Sequence, residues 1–265
     1  MKKFILGFAV GLVICGIAFS VFIIINKKEI PINNDEVIIA NNKENENNDR
    51  EEHIIKEEAS ETEKNELVYS LYKYKDSEGN ELYSIPYINI NSEEANKINK
   101  EIEEFYKSEV EEAIKEIEEY SYAFLHEVSY NFYINDNILS LVILKEYDWD
   151  IVYYGVYNLD INKGTIVTNS EIISNIKGID EDIYLDILKD ICKQRFIEAY
   201  GEKEEWKQFN AGEEYETQLN RTISEDNLSI QTPIFLNDKG NIAVIANIYS
   251  LAGGDSYYRR IDTNL

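Results

Sequence analysis

The chain has 265 residues, 51 Asp and Glu against 26 Lys and Arg, a formal net charge of -25 and a pI near 4.4. That balance argues against nucleic-acid binding, because phosphate backbones are gripped by clustered Lys and Arg and no basic stripe is found. Two Cys and two His exclude a disulfide framework and count against Cys/His zinc sites, whereas 44% hydrophobic and 12% aromatic residues are enough for a core.

In chain order, Met1-Lys2-Lys3 is a short stub before an uncharged run from Phe4 to Ile25, with Lys27 and Lys28 beyond it. At about 1.5 Å per residue this run spans a hydrocarbon core of roughly 30 Å, so residues 4–26 are expected to form a single transmembrane anchor. The rival is a cleaved signal peptide, with Ala18-Phe19-Ser20 as a passable small-x-small site, but the apolar run continues through Ile25. Residues 27–66 are rich in Glu, Asn and Lys and poor in large apolar side chains, which predicts a flexible acidic tether. With 6 basic and 13 acidic residues the tether carries -7, so with Lys2 and Lys3 set aside a charge of -20 belongs to residues 67–265.

Residues 67–265 are expected to be the extracytoplasmic folded domain, with a division into lobes 67–150 and 151–265. Alternation predicts strands at 66–75 and 82–90, with Pro86 pushing the second toward a sheet edge or a bulge. Ala95, Ile98, Ile102, Phe105, Val110, Ala113, Ile114 and Ile117 recur at helical spacing, capped by Asn91 or Ser92 and running to Tyr120. Three strands follow at 122–134, 138–147 and 151–161, joined by short polar turns that make antiparallel neighbours, and 165–168 extends the meander. A second helix is expected at 181–200 on Ile183, Ile187, Leu188, Ile191, Cys192 and Phe196, then polar helical turns over 202–224 and strands at 228–236 and 242–249. The fold class is α+β: an antiparallel meander packed by two main amphipathic helices.

Two segments attract functional interest. Asp148-Trp149-Asp150 followed by Tyr153 and Tyr154 places flat aromatic faces between acids at a strand junction, a surface suited to sugar rings or to basic proteins. Gly253-Gly254-Asp255, followed by Tyr257, allows close backbone approach beside an acceptor. The plain alternatives are a cross-strand ladder and an ordinary turn. Cys192 sits on an apolar stripe and reads as a packed thiol, and His126, inside a strand, reads as a structural histidine. Adjacent carboxylates such as Asp148 with Asp150, or Glu204 with Glu205, arise by chance among 51 acids and define no glycosidase cleft. Asp136 and Asp238 lie in acidic turns without a spaced calcium-ligand loop.

Ile85-Pro86-Tyr87-Ile88 leads into Asn96-Lys97-Ile98-Asn99; Tyr157-Asn158-Leu159-Asp160 through Thr168 precedes Glu171-Ile172-Ile173; and Ala246-Asn247-Ile248-Tyr249 through Gly254 closes the series. In this order the motifs resemble the outer domains of the lysozyme-sensing anti-sigma factor family of Gram-positive bacteria, and the non-catalytic N-terminal region of peptidoglycan deacetylases of the PdaC type. The resemblance covers roughly residues 67–265. It implies a membrane-tethered, wall-facing domain that binds a protein or glycan. Two departures limit it. The side before the span would hold only Met1-Lys2-Lys3, so sigma-factor sequestration is not expected, and His53 and His126 cannot assemble a deacetylase metal site. The expectation is a non-enzymatic, cofactor-free, single-pass sensing module that binds a basic protein such as a muramidase. The alternative is an accessory domain that recognises peptidoglycan glycan beside a separate enzyme.

Overall fold

The computed structural model describes residues 54–209, 211–251 and 257–265. The expected anchor at 4–26 and most of the tether lie outside the described residues, among which no helix is long and apolar enough to cross a membrane. The content is mixed α and β, as the alternating and helical patterns require, and the larger sheet has seven strands in sequence order. These are β1 (Ile55–Glu58), β2 (Val68–Lys75), β3 (Glu81–Ile88), β4 (Leu125–Asn135), β5 (Ile138–Tyr147), β6 (Ile151–Asp160) and β7 (Thr165–Ile166). All neighbours are antiparallel except β3 and β4, which run parallel and meet at the single pair Tyr83 with Val128.

Between β3 and β4 the chain forms α1 (Glu93–Ile102), a π-helical turn (Glu103–Lys107) and α2 (Ser108–Tyr120). Ser92 caps α1 by accepting from the Ala95 amide at 3.1 Å. Ala95, Ile98, Ile102, Tyr106, Val110, Ala113 and Ile117 pack against Tyr83, Ile85, Leu139, Leu141 and Ile143 of the sheet, forming the main core. Asn99, buried at this contact, exchanges two hydrogen bonds of 2.8 Å with the Ile88 backbone and satisfies a strand end that β4 no longer reaches.

The opposite sheet face is covered by a three-stranded antiparallel sheet in the order β10 (Tyr257–Asp262), β9 (Ile242–Ile248), β8 (Ile234–Leu236). Val142 meets Phe235, Ala243 and Ile245 there, with Tyr133, Tyr154 and Val156 closing the contact. Behind β9 lies α3 (Glu181–Tyr200), capped by Asp180. Then come α4 (Lys203–Lys207) and α5 (Gly212–Thr222), whose Tyr215 sets its ring edge-on to Phe196 at 5.2 Å.

Several sequence expectations shift. The tether was expected to reach residue 66, yet Ile55–Glu58 already pairs with β2, its backbone served by the neighbouring edge despite exposed side chains. The strand expected over 228–236 is confined to Ile234–Leu236. Hydrogen bonds from Asn227 to the Thr222 and Asn247 carbonyls, and from the Ser229 amide to the Thr232 hydroxyl, hold the preceding residues in turns. Residues 257–262 form a further strand beyond the last one expected, at 242–249. Pro86 meets the second of its two expected placements: it lies on an inner strand, paired with Ser70 beside a bulge and past the one β3–β4 pair. Phe105 is 52% exposed and Tyr106 is buried instead, because the π-helical turn adds a residue and rotates the stripe. Ile183 likewise faces out, and Tyr184 takes its place in the core.

Candidate functional site

Asp148-Trp149-Asp150 forms a single tight turn joining β5 to β6. Trp149 adopts φ 60° and ψ 31°, a left-handed conformation that is costly for a bulky residue, and among the described residues it is the most exposed large apolar side chain, at 79%. Its ring stands edge-on to Phe124 at 5.8 Å, and Phe124 in turn lies 5.6 Å from Tyr147. Tyr147 meets Tyr153 edge-on at 5.7 Å, and Tyr153 reaches Tyr258 at 6.1 Å. Of these rings, Phe124, Tyr147 and Tyr153 line a groove of about 490 Å³ between the π-helical turn and the β5–β6 end of the sheet, and Trp149 stands beside it against Phe124.

The groove is built from the helix side by the same π-helical turn that displaces Phe105. Phe105 stands at the rim, while Tyr106 drives inward to β6, where only a glycine leaves room: a Cβ on Gly155 would lie 2.3 Å from the Tyr106 hydroxyl. On the floor is Lys145, 6% exposed, whose ammonium is 2.7 Å from the Glu109 carboxylate and 4.3 Å from the centre of the Phe105 ring. The rings of Tyr106, Tyr147 and Tyr153 complete a cage around it at 5.5–5.9 Å. Tyr147 donates to the same Glu109 oxygen at 3.0 Å. Burial, and next the Glu109 charge, raise the Tyr147 phenol above its ordinary range, so it remains a neutral donor.

His126 is the extra residue of a β-bulge: Leu125 opposes Tyr147 and Glu127 opposes Glu146, leaving His126 without a partner on β5. The bulge turns its Nε2 to within 2.6 Å of Asp148 Oδ1, at the root of the Trp149 turn. Of the six glutamates of α2, Glu109 lines the groove and Glu116 adjoins it by accepting from the Phe124 amide.

The structure therefore brings Asp148, Trp149 and Tyr153 together as the sequence proposed, and adds Phe105, Glu109, Phe124, His126, Lys145 and Tyr147. Tyr154 also lines the groove, and it packs against the contact between the two sheets. Gly253, Gly254 and Asp255 lie outside the described residues, and Tyr257 opens β10 opposite Ile248.

A larger depression of about 640 Å³ occupies the other end of β5. Asp160, Glu171 and Lys177 in its lining are committed to the fold. Asp160 accepts from the Asn162 and Lys163 amides, Glu171 from the Thr168 amide and hydroxyl, and Lys177 donates to the Gly240 carbonyl. Cys192 is fully buried, and burial pushes its thiol up to about 12. Among the described residues no group of three His, Cys, Asp or Glu is placed to hold a metal ion. No family model matches the chain, and no curated protein matches its sequence.

Proposed function

We propose that this chain is a membrane-anchored, extracytoplasmic, non-enzymatic binding module of the cell envelope, and that its aromatic groove receives a basic protein such as a muramidase. The observation that carries the reading is Trp149. It is held in a costly backbone conformation and presented almost wholly to solvent, so the fold gains little from its ring, whereas a partner could bury it. Charge supports the choice of partner: the chain carries -25, Glu116 adjoins Phe124, and the one cation lining the groove, Lys145, is already neutralised by Glu109. The uncharged run at 4–25 supports the anchor.

The second reading, recognition of peptidoglycan glycan, draws on the open faces of Trp149 and Tyr153, which suit stacking on sugar rings. Calorimetric titration of the full-length chain in detergent separates the two. A cationic muramidase should bind saturably and lose affinity steeply between low and high salt, while a size- and charge-matched basic control protein should not bind. Binding of muropeptide fragments alone, insensitive to salt, would replace the first reading by the second.

A further inference from the structure

We infer that His126 and Asp148 form a proton-operated latch on the Trp149 turn, so that charging the imidazole weakens capture of a cationic partner; this rests on the groove being the binding site. Three independent features meet here. The bulge re-aims His126 from the sheet toward the turn, the contact to Asp148 is short at 2.6 Å, and Trp149, next in sequence, holds a strained backbone conformation. Imidazole is the side chain whose charge ordinarily changes between about pH 5 and 8.

When the imidazole is neutral its Nε2–H donates to Asp148, which keeps its negative charge at the rim. When the imidazole takes up a proton, the two groups become an ion pair of zero net charge. The turn is then held more firmly, and the rim loses one of the charges that attract a cation. Around His126, Tyr122 stands edge-on at 6.4 Å from the connection that follows α2; Glu127 is the neighbour of His126 on β4; Glu146 and Tyr147 lie opposite on β5. None of these is of a type that ordinarily titrates near neutrality, as imidazole does.

The test uses the full-length chain with Trp206→Phe, so that Trp149 is the only tryptophan, with and without His126→Gln, which preserves an N–H donor for Asp148 but takes up no proton. Trp149 emission should follow a one-proton step between about pH 8 and 5 in the His126 protein and stay flat in the glutamine variant. Affinity for a cationic muramidase should fall about 3- to 10-fold over the same interval with His126 and stay constant without it. Parallel pH dependence in both proteins, or no emission step with His126 present, overturns the latch. An emission step abolished by His126→Gln, with no muramidase binding at any pH, upholds the latch and overturns the partner.

Discussion

Trp149 separates stability from binding. Replacing it by glycine relieves a left-handed backbone and sacrifices only the edge contact to Phe124, so the unfolding free energy should change by less than about 1 kcal/mol. Affinity for the partner should fall by more than about tenfold, as expected for truncation of an aromatic anchor. Chemical denaturation beside calorimetry checks both. Lys145 and Glu109 should behave unequally. Glu109→Gln leaves a buried ammonium without its counter-charge and should destabilise by about 3 kcal/mol, whereas Lys145→Met puts an apolar chain among the rings and leaves a half-exposed carboxylate still bonded to Tyr147. Equal urea midpoints for the two variants would contradict the inward placement of Lys145. Asp148, Trp149 and Tyr153 were legible in the sequence because they lie within six residues of each other. Lys145 and Glu109 were not, since 36 residues separate two charges that meet only after the helix folds across the sheet.

At the scale of elements, the π-helical turn determines which aromatic faces the groove. An uninterrupted 3.6-residue period points Phe105 inward, and no residue type in Glu103–Lys107 announces the extra residue, so the sequence placed the helix but misassigned the ring. The cause lies in the contact with β6, where Tyr106 occupies the space over Gly155. Gly155→Ala should therefore destabilise by about 1–3 kcal/mol through overpacking, and Tyr106→Phe, by removing the conflicting oxygen, should recover most of the loss in the double variant. Thermal melts of the four proteins complete the cycle; simple additivity would sink the account. A similar limit hid β10. Tyr257-Tyr258-Arg259-Arg260-Ile261 offers little apolar alternation, yet Arg260 is accommodated between the sheets by stacking on Phe235 at 5.1 Å and donating to the Tyr133 hydroxyl at 2.6 Å.

For the whole molecule, charge opposes compactness. A net charge of -25 repels itself, so raising salt should raise the melting temperature, and so should acidification toward the pI near 4.4. Specific carboxylates set the lower limit. The Lys163 amide, the largest influence, holds the Asp160 carboxyl near 2, and Lys73 does the same for Glu63. Both folded values lie below the ordinary ones, so the stability they contribute is present above about pH 4 and is lost as pH falls toward 2. Melting temperature should pass through a maximum at about pH 5, and Asp160→Asn should flatten its acid side. Composition made the first effect legible; the second needed the turn at Asp160, where the side chain accepts from two successive amides.

The single parallel pair joining β3 to β4 also bears on how the chain folds. Each half of the large sheet is made of hairpins between near neighbours, which close quickly, whereas the join must wait until the intervening helices have been laid down. Hydrogen exchange should then find the amides beside Tyr83 and Val128 less protected than those at the centre of β5, marking the seam along which two cooperative units part first.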